Sequence, residues 1–103
     1  MAKLSIEFKN QLQANTARYI KRNQEYVLEY LKENPCIDCG ETDPIVLDFD
    51  HVNRKEKYRS IALMIRRATA LNKIIEEISK CVVRCANCHR RKTSKELGWF
   101  RSN

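Results

Sequence analysis

Two cysteine pairs carry the first chemistry in this sequence. Cys36-Ile37-Asp38-Cys39 and Cys85-Ala86-Asn87-Cys88 each set two thiols three residues apart, and the second runs directly into His89-Arg90-Arg91-Lys92-Thr93. Two such pairs can bring four thiolates to one tetrahedral centre, and zinc is the ion that suits four sulfurs. A redox role needs one reactive Cys-x-x-Cys in a βαβ setting, and no such setting is visible here. Structural Zn²⁺ on Cys36, Cys39, Cys85 and Cys88 is therefore the expectation. The fifth cysteine, Cys81, precedes two valines and reads as a small buried hydrophobe, not a further ligand.

A second constellation lies at Asp50, His51 and His89. Hydrolysis of a phosphodiester needs a base for the attacking water and positive charge for the leaving 3′ oxygen and the non-bridging oxygens. In an in-line displacement these lie on opposite sides of phosphorus. Neighbouring side chains at a strand end diverge, so adjacent residues can serve both sides. Asp50 offers a hard oxygen ligand, and His51 offers an imidazole that titrates near neutrality. Asp48 could fill the acid's place equally well by type; adjacency to His51 favours Asp50. His89 follows the last zinc cysteine, and a helix starting there would aim it back at Asp50 as a further ligand. Mg²⁺ or Mn²⁺ is the expected second ion, with other divalent ions accepted because histidine is a ligand.

These groups need elements to hold them. Ile20, Val27, Leu28 and Leu31, with Tyr19, Tyr26 and Tyr30 beside them, predict a helix across the first third, ended by Pro35. Lys3, Lys9, Arg18, Lys21 and Arg22 make that arm basic. Cys36 to Pro44 predicts a tight turn, and Ile45 to Phe49 a strand. Arg54, Lys55 and Lys57 fall in a basic loop just after His51. Ser60 should start a short helix holding Ile61, Met64 and Ile65. Thr69 can cap the next, whose stripe of Leu71, Ile74, Ile75 and Ile78 reads as core. Cys81 to Arg84 is β-prone. A helix runs from Ala86 to near Gly98, with Trp99 and Phe100 folding back as an anchor. Roughly 45 residues separate Cys39 from Cys85, against about 15–20 in common ribbons and fingers, so the strand, loop and helices form an insertion between the pairs.

Composition bounds the rest. At 103 residues the chain reads as one domain, with residues 1–34 as a helical arm and 35–97 as a zinc-stapled core. A chain this short often needs such a staple. The formal charge is +7, from 20 Lys+Arg against 13 Asp+Glu. Four thiolates against one Zn²⁺ subtract two from it, and the remainder still favours an acidic partner, nucleic acid first. No apolar run is long enough for a signal peptide or a membrane span. Five cysteines are an odd number, and reduced thiols with no export signal point to the cytoplasm. Nothing in the sequence fixes an oligomeric state.

The stretch from Cys36 to Thr93 resembles the HNH endonuclease family. The resemblance is carried by Cys-x-x-Cys, then Asp-His after a hydrophobic strand, then Cys-x-x-Cys-His-x-x-Lys. It implies an α+β fold with a ββα-metal, treble-clef-like core: a short antiparallel hairpin, here with a long N-terminal helix and inserted helices. It implies His51 as general base, Asp50 and His89 as ligands of a catalytic divalent ion, and the four cysteines as ligands of structural zinc. The family's central asparagine commonly stands near the position of Lys80. Asn87 is the available candidate, to orient His51, bind metal or only shape the knuckle. Arg90, Arg91 and Lys92 look like phosphate contacts. The expected activity is metal-dependent hydrolysis of DNA phosphodiester bonds. A non-catalytic zinc module that binds nucleic acid would explain the charge and the cysteines but give Asp50, His51 and His89 no task. An adaptor that binds protein explains less.

Overall fold

Four helices and a two-stranded antiparallel hairpin make this an α+β fold, seen in a computed structural model that describes residues 5–99. Lys3 and Phe100 lie outside the described residues. Helix α1 spans Ile6–Glu33. It starts where the Ser5 hydroxyl accepts from the Phe8 amide at 3.1 Å, satisfying an amide that the helix itself leaves without a partner. It stops at Asn34, one residue before Pro35. Its buried residues are Asn23, Val27 and Leu31, spaced by four, so one narrow face of the C-terminal half meets the core. Leu28, expected on that face, is 43% exposed, because it falls a quarter-turn beyond Val27.

The strand begins later than expected. Pro44–Val46 is a 3-10 turn whose first amide-bearing residue, Ile45, donates to Asp43 Oδ1 at 3.0 Å. Ile45 itself points into solvent. Strand β1 is Leu47–His51 and β2 is Cys81–Cys85, paired with Leu47 opposite Cys85 and His51 opposite Cys81. Side chains alternate across a strand. Asp48 and Asp50 therefore share one face, and Leu47, Phe49 and His51 the other.

Helix α2, Ile61–Arg66, starts at Ser60 as expected, with the hydroxyl accepting from Leu63 N at 3.3 Å. Helix α3 is Leu71–Ile78. Thr69 does not cap it; Ala70 holds the cap position and no side chain bonds there. The Thr69 carbonyl is used otherwise, accepting from Asn23 Nδ2 at 3.0 Å and so pinning the turn between α2 and α3 to α1. Helix α4, Ala86–Leu97, ends at Gly98 with φ 64°, a left-handed conformation that glycine adopts without steric cost. The Trp99 amide then bonds back to the Ser94 carbonyl at 3.1 Å. Trp99 is not the expected hydrophobic anchor, for its ring is 47% exposed and lies beside the Arg90 guanidinium.

The core joins all these elements: Val27, Leu31, Leu47, Ile61, Met64, Ile74, Ile78 and Val83, with Cys36, Cys85 and Cys88 at its edge. On α3 the buried positions are Ile74, Glu77 and Ile78, while Ile75 is 41% exposed. A carboxylate thus takes a place on the inner face that the apolar pattern assigned to Ile75. Among the described residues no helix is long and apolar enough to cross a membrane.

Candidate metal centre and active site

The two cysteine pairs converge. One ligand atom from each of Cys36, Cys39, Cys85 and Cys88 lies within 4.8 Å of the others, so the four thiols could hold a metal such as zinc. Cys39 Sγ and Cys85 Sγ are 3.7 Å apart. A tetrahedral site with Zn–S of about 2.3 Å needs sulfurs about 3.8 Å apart. The hairpin register and the start of α4 build the second half, since Cys85 closes β2 and Cys88 lies one helical turn on. Gly40, at φ 80°, lets its amide bond back to the Cys36 carbonyl at 2.9 Å and folds the first half.

The protons of this cluster also favour a cation. Burial disfavours a Cys36 thiolate, but backbone amides of Cys85, Cys39 and Asp38 outweigh it and bring the thiol down to about 6. Hydrogen bonding to Cys85, then burial, pushes Cys88 up to about 12. The thiols resist ionising together, and a dication is what lets several thiolates share the space. Cys81 stands apart from this cluster, its thiol pushed up to about 11 by burial and by the charges of Glu77 and Asp50.

Asp50 is 6% exposed and densely held. Its Oδ2 accepts from Arg84 Nη1 at 2.6 Å and from Lys92 Nζ at 3.0 Å. Burial alone would raise its pKa; Lys92 and Arg84 outweigh that and hold the carboxyl below its usual range. Oδ1 faces the other way, 3.6 Å from His89 Nε2. The second ring nitrogen of His89 lies 3.5 Å from Asp48 Oδ2. Both distances are long for direct hydrogen bonds. If Asp48 takes the Nδ1 proton, the Nε2 lone pair and the Asp50 oxygen oppose each other, and only a cation or a proton reconciles them. A cation bound between these two atoms would relieve that opposition. Asp48 lies at the other end of the ring, so one imidazole nitrogen and one carboxylate oxygen, His89 Nε2 and Asp50 Oδ1, face this gap.

His51 ends β1 on the opposite face and is 7% exposed. Its Nε2 is 2.7 Å from Glu77 Oε2. The same carboxylate accepts from the Tyr58 amide at 3.0 Å and from Lys80 Nζ at 2.9 Å. Burial would raise the Glu77 pKa, but Lys80, the Tyr58 amide and His51 outweigh it and hold the carboxyl at about 2. Lys80 also donates to the Glu56 carbonyl at 3.2 Å, which ties the basic loop to the turn between α3 and β2. Among the described residues His51 Nδ1 takes no hydrogen bond, and no polar side-chain atom is buried without a partner, so Nδ1 is not sealed from water. His51, His89, Asp48 and Lys57 border one cleft of about 350 Å³ floored by Leu47, Phe49 and Ile61.

The remaining expected residues divide. Asn87 is exposed on the first turn of α4 and lines grooves with Arg90 and Trp99, one of them shared with Asp48 and His89, but not the cleft that holds His51. Lys55 and Arg90 are exposed, while Arg54 pairs with Glu96 at 3.6 Å. Arg91 borders a groove with Arg84 and Lys95. Lys92 is engaged by Asp50 and by Glu96 at 3.3 Å, so it serves the acidic site directly. Glu77 and Arg84 do not stand out in the sequence, yet each holds a predicted site residue at 2.7 Å or less. The signal for Glu77 was its spacing of three from Ile74, which puts it on the buried stripe. No protein-family model, curated protein or solved structure matches the chain.

Proposed function

We propose that this chain is a metal-dependent DNA endonuclease of the HNH type, built on a ββα-metal core. The observation that carries the reading is the shared cleft: His51 and His89 border it together, with Asp50 Oδ1 3.6 Å from His89 Nε2. The hairpin followed directly by α4 supports the ββα assignment, and a formal charge of +7 supports a polyanionic substrate.

In this reading Cys36, Cys39, Cys85 and Cys88 hold structural zinc and fix where α4 leaves the hairpin. Asp50 and His89 hold one divalent ion, with Asp48 orienting the His89 ring. When bound, such an ion would supply positive charge to the phosphate and the departing 3′ oxygen. His51 accepts a proton from the attacking water at Nδ1 as the new oxygen–phosphorus bond forms. Lys57, at the cleft mouth, attracts a phosphate oxygen, and Lys55, Arg90 and Arg91 contact the backbone on either side. Such contacts position the duplex without reading its sequence.

One observation favours the non-catalytic nucleic-acid-binding module: Arg84 and Lys92 already neutralise Asp50 Oδ2. A plasmid nicking assay with Mg²⁺ or Mn²⁺ separates the readings. Wild type should cut, and His51→Ala should keep zinc, fold and DNA binding while losing roughly 10²–10⁴ in rate. A wild type that binds DNA and cuts under neither ion supports the binding module.

A further inference from the structure

The geometry points to Glu77 as the positioning residue of His51, holding the ring by Nε2 so that Nδ1 is the nitrogen offered to the cleft. This rests on the nuclease reading above for its purpose, though not for its geometry. Four observations carry it. Glu77 is 2% exposed, and charged side chains are seldom buried unless partnered. Its Oε2 lies 2.7 Å from His51 Nε2. Its other contacts, the Tyr58 amide at 3.0 Å and Lys80 Nζ at 2.9 Å, are donors, which fixes the carboxylate as an acceptor towards His51. Finally, Asn87, for which orienting His51 was one of three expected roles, is exposed and does not line the cleft that holds His51.

An ionised carboxylate can only accept, so the neutral imidazole must carry its proton on Nε2 and its lone pair on Nδ1. When Nδ1 takes the proton of the attacking water, the ring becomes positive, and the Glu77 charge beside it stabilises that state. No proton passes to Glu77; the Nε2 proton stays on the ring throughout. Lys80 and the Tyr58 amide keep the carboxylate from rotating. The orienting group would then be a glutamate on α3, a helix inserted between the cysteine pairs, and not Asn87.

The test uses the full zinc-loaded chain. Nitrogen-15 NMR of the two histidine rings, in mildly alkaline buffer and assigned with His51→Ala, reads the tautomer without any cleavage. His51 should be protonated at Nε2, and Glu77→Gln should populate both tautomers, because an amide can accept or donate. Protonation of wild-type His51 at Nδ1 overturns the proposal. Kinetics give the second arm. Under single-turnover conditions with Mn²⁺, Glu77→Gln should lower the rate roughly 10²-fold or more while DNA affinity stays within about twofold. In a His51→Ala background the same substitution should cost nothing further. A further loss in that background, or loss of zinc from Glu77→Gln, would mean a merely structural role. If the wild type does not cut but shows the expected tautomer, the nuclease reading falls and the positioning role stands.

Discussion

Arg84 donates to Asp50 Oδ2 at 2.6 Å. The same guanidinium donates through Nε to Asp38 at 2.7 Å, and Asp38 lies inside the first cysteine pair. One side chain on β2 therefore spans from the thiol cluster to the acidic site. The planar fork of arginine suits this double duty, where a lysine could serve only one carboxylate well. The two candidate metal sites are thus linked through a hydrogen-bonded bridge as well as through the Cys88–His89 peptide.

Replacing Arg84 tests that bridge. Arg84→Met keeps much of the apolar stem but leaves Asp50 buried with Lys92 alone, and a buried acceptor stripped of a charged donor costs about 1–3 kcal/mol. Urea unfolding of the zinc-loaded protein should show a loss of that size, with zinc content unchanged. Equal stability of the two proteins would mean that the bridge contributes nothing measurable.

The thiol cluster should decide whether the chain folds. Cys36, Cys85 and Cys88 belong to the hydrophobic core, so three of the four candidate metal ligands are also core residues. A strong chelator, or Cys88→Ser, should strip the metal and collapse the hairpin and α4, leaving residual helix from α1. Circular dichroism at a helical wavelength, followed during chelator titration, should fall in step with zinc release. Full helicity after complete zinc removal would show that the core stands without it.

Much of this architecture was legible because it was written in short-range rules. The cysteine spacing, Ser60 before Ile61 and Gly98 after Leu97 each encode a local geometry, and each holds its place. The strand start at Ile45 was misread because an Asp-Pro cap competes with a β-prone run, and the cap won at Asp43-Pro44. Glu77 and Arg84 escaped for another reason. Their roles depend on partners 26 and 34 residues away, and a charged residue on a helix or strand looks solvated until its partner is known. On α3 Ile74 and Ile78 keep their buried places, and Glu77 replaces Ile75 as the flank of the inner face.

His89 distinguishes the two candidate metal sites. His89→Ala should leave four cysteines and their zinc intact, since its ring touches Asp48 and Asp50 and not the thiols. Calorimetric titration of Mn²⁺ into the zinc-loaded variant should show at least about a tenfold weaker affinity than wild type, the scale expected for losing a first or supporting ligand. Loss of zinc on this substitution would merge the sites and contradict their separation.

Acid stability should report on Glu77. Its carboxyl is held at about 2 against an ordinary 4.5. A group with a depressed folded pKa binds fewer protons folded than unfolded, so its contribution is complete above the unfolded value and is lost as pH falls towards the folded one. The shift corresponds to something on the order of 3 kcal/mol for a carboxylate buried this deeply. Glu77→Gln cannot titrate at that position. The stability difference between wild type and Glu77→Gln should therefore narrow steadily between about pH 5 and pH 3. Zinc release in acid weakens both proteins, so the difference carries the signal and neither curve alone does. Guanidinium unfolding at several pH values across this window measures it. A difference that stays constant would show that the folded protein does not hold Glu77 ionised, and the His51–Glu77 contact would then need a proton of its own.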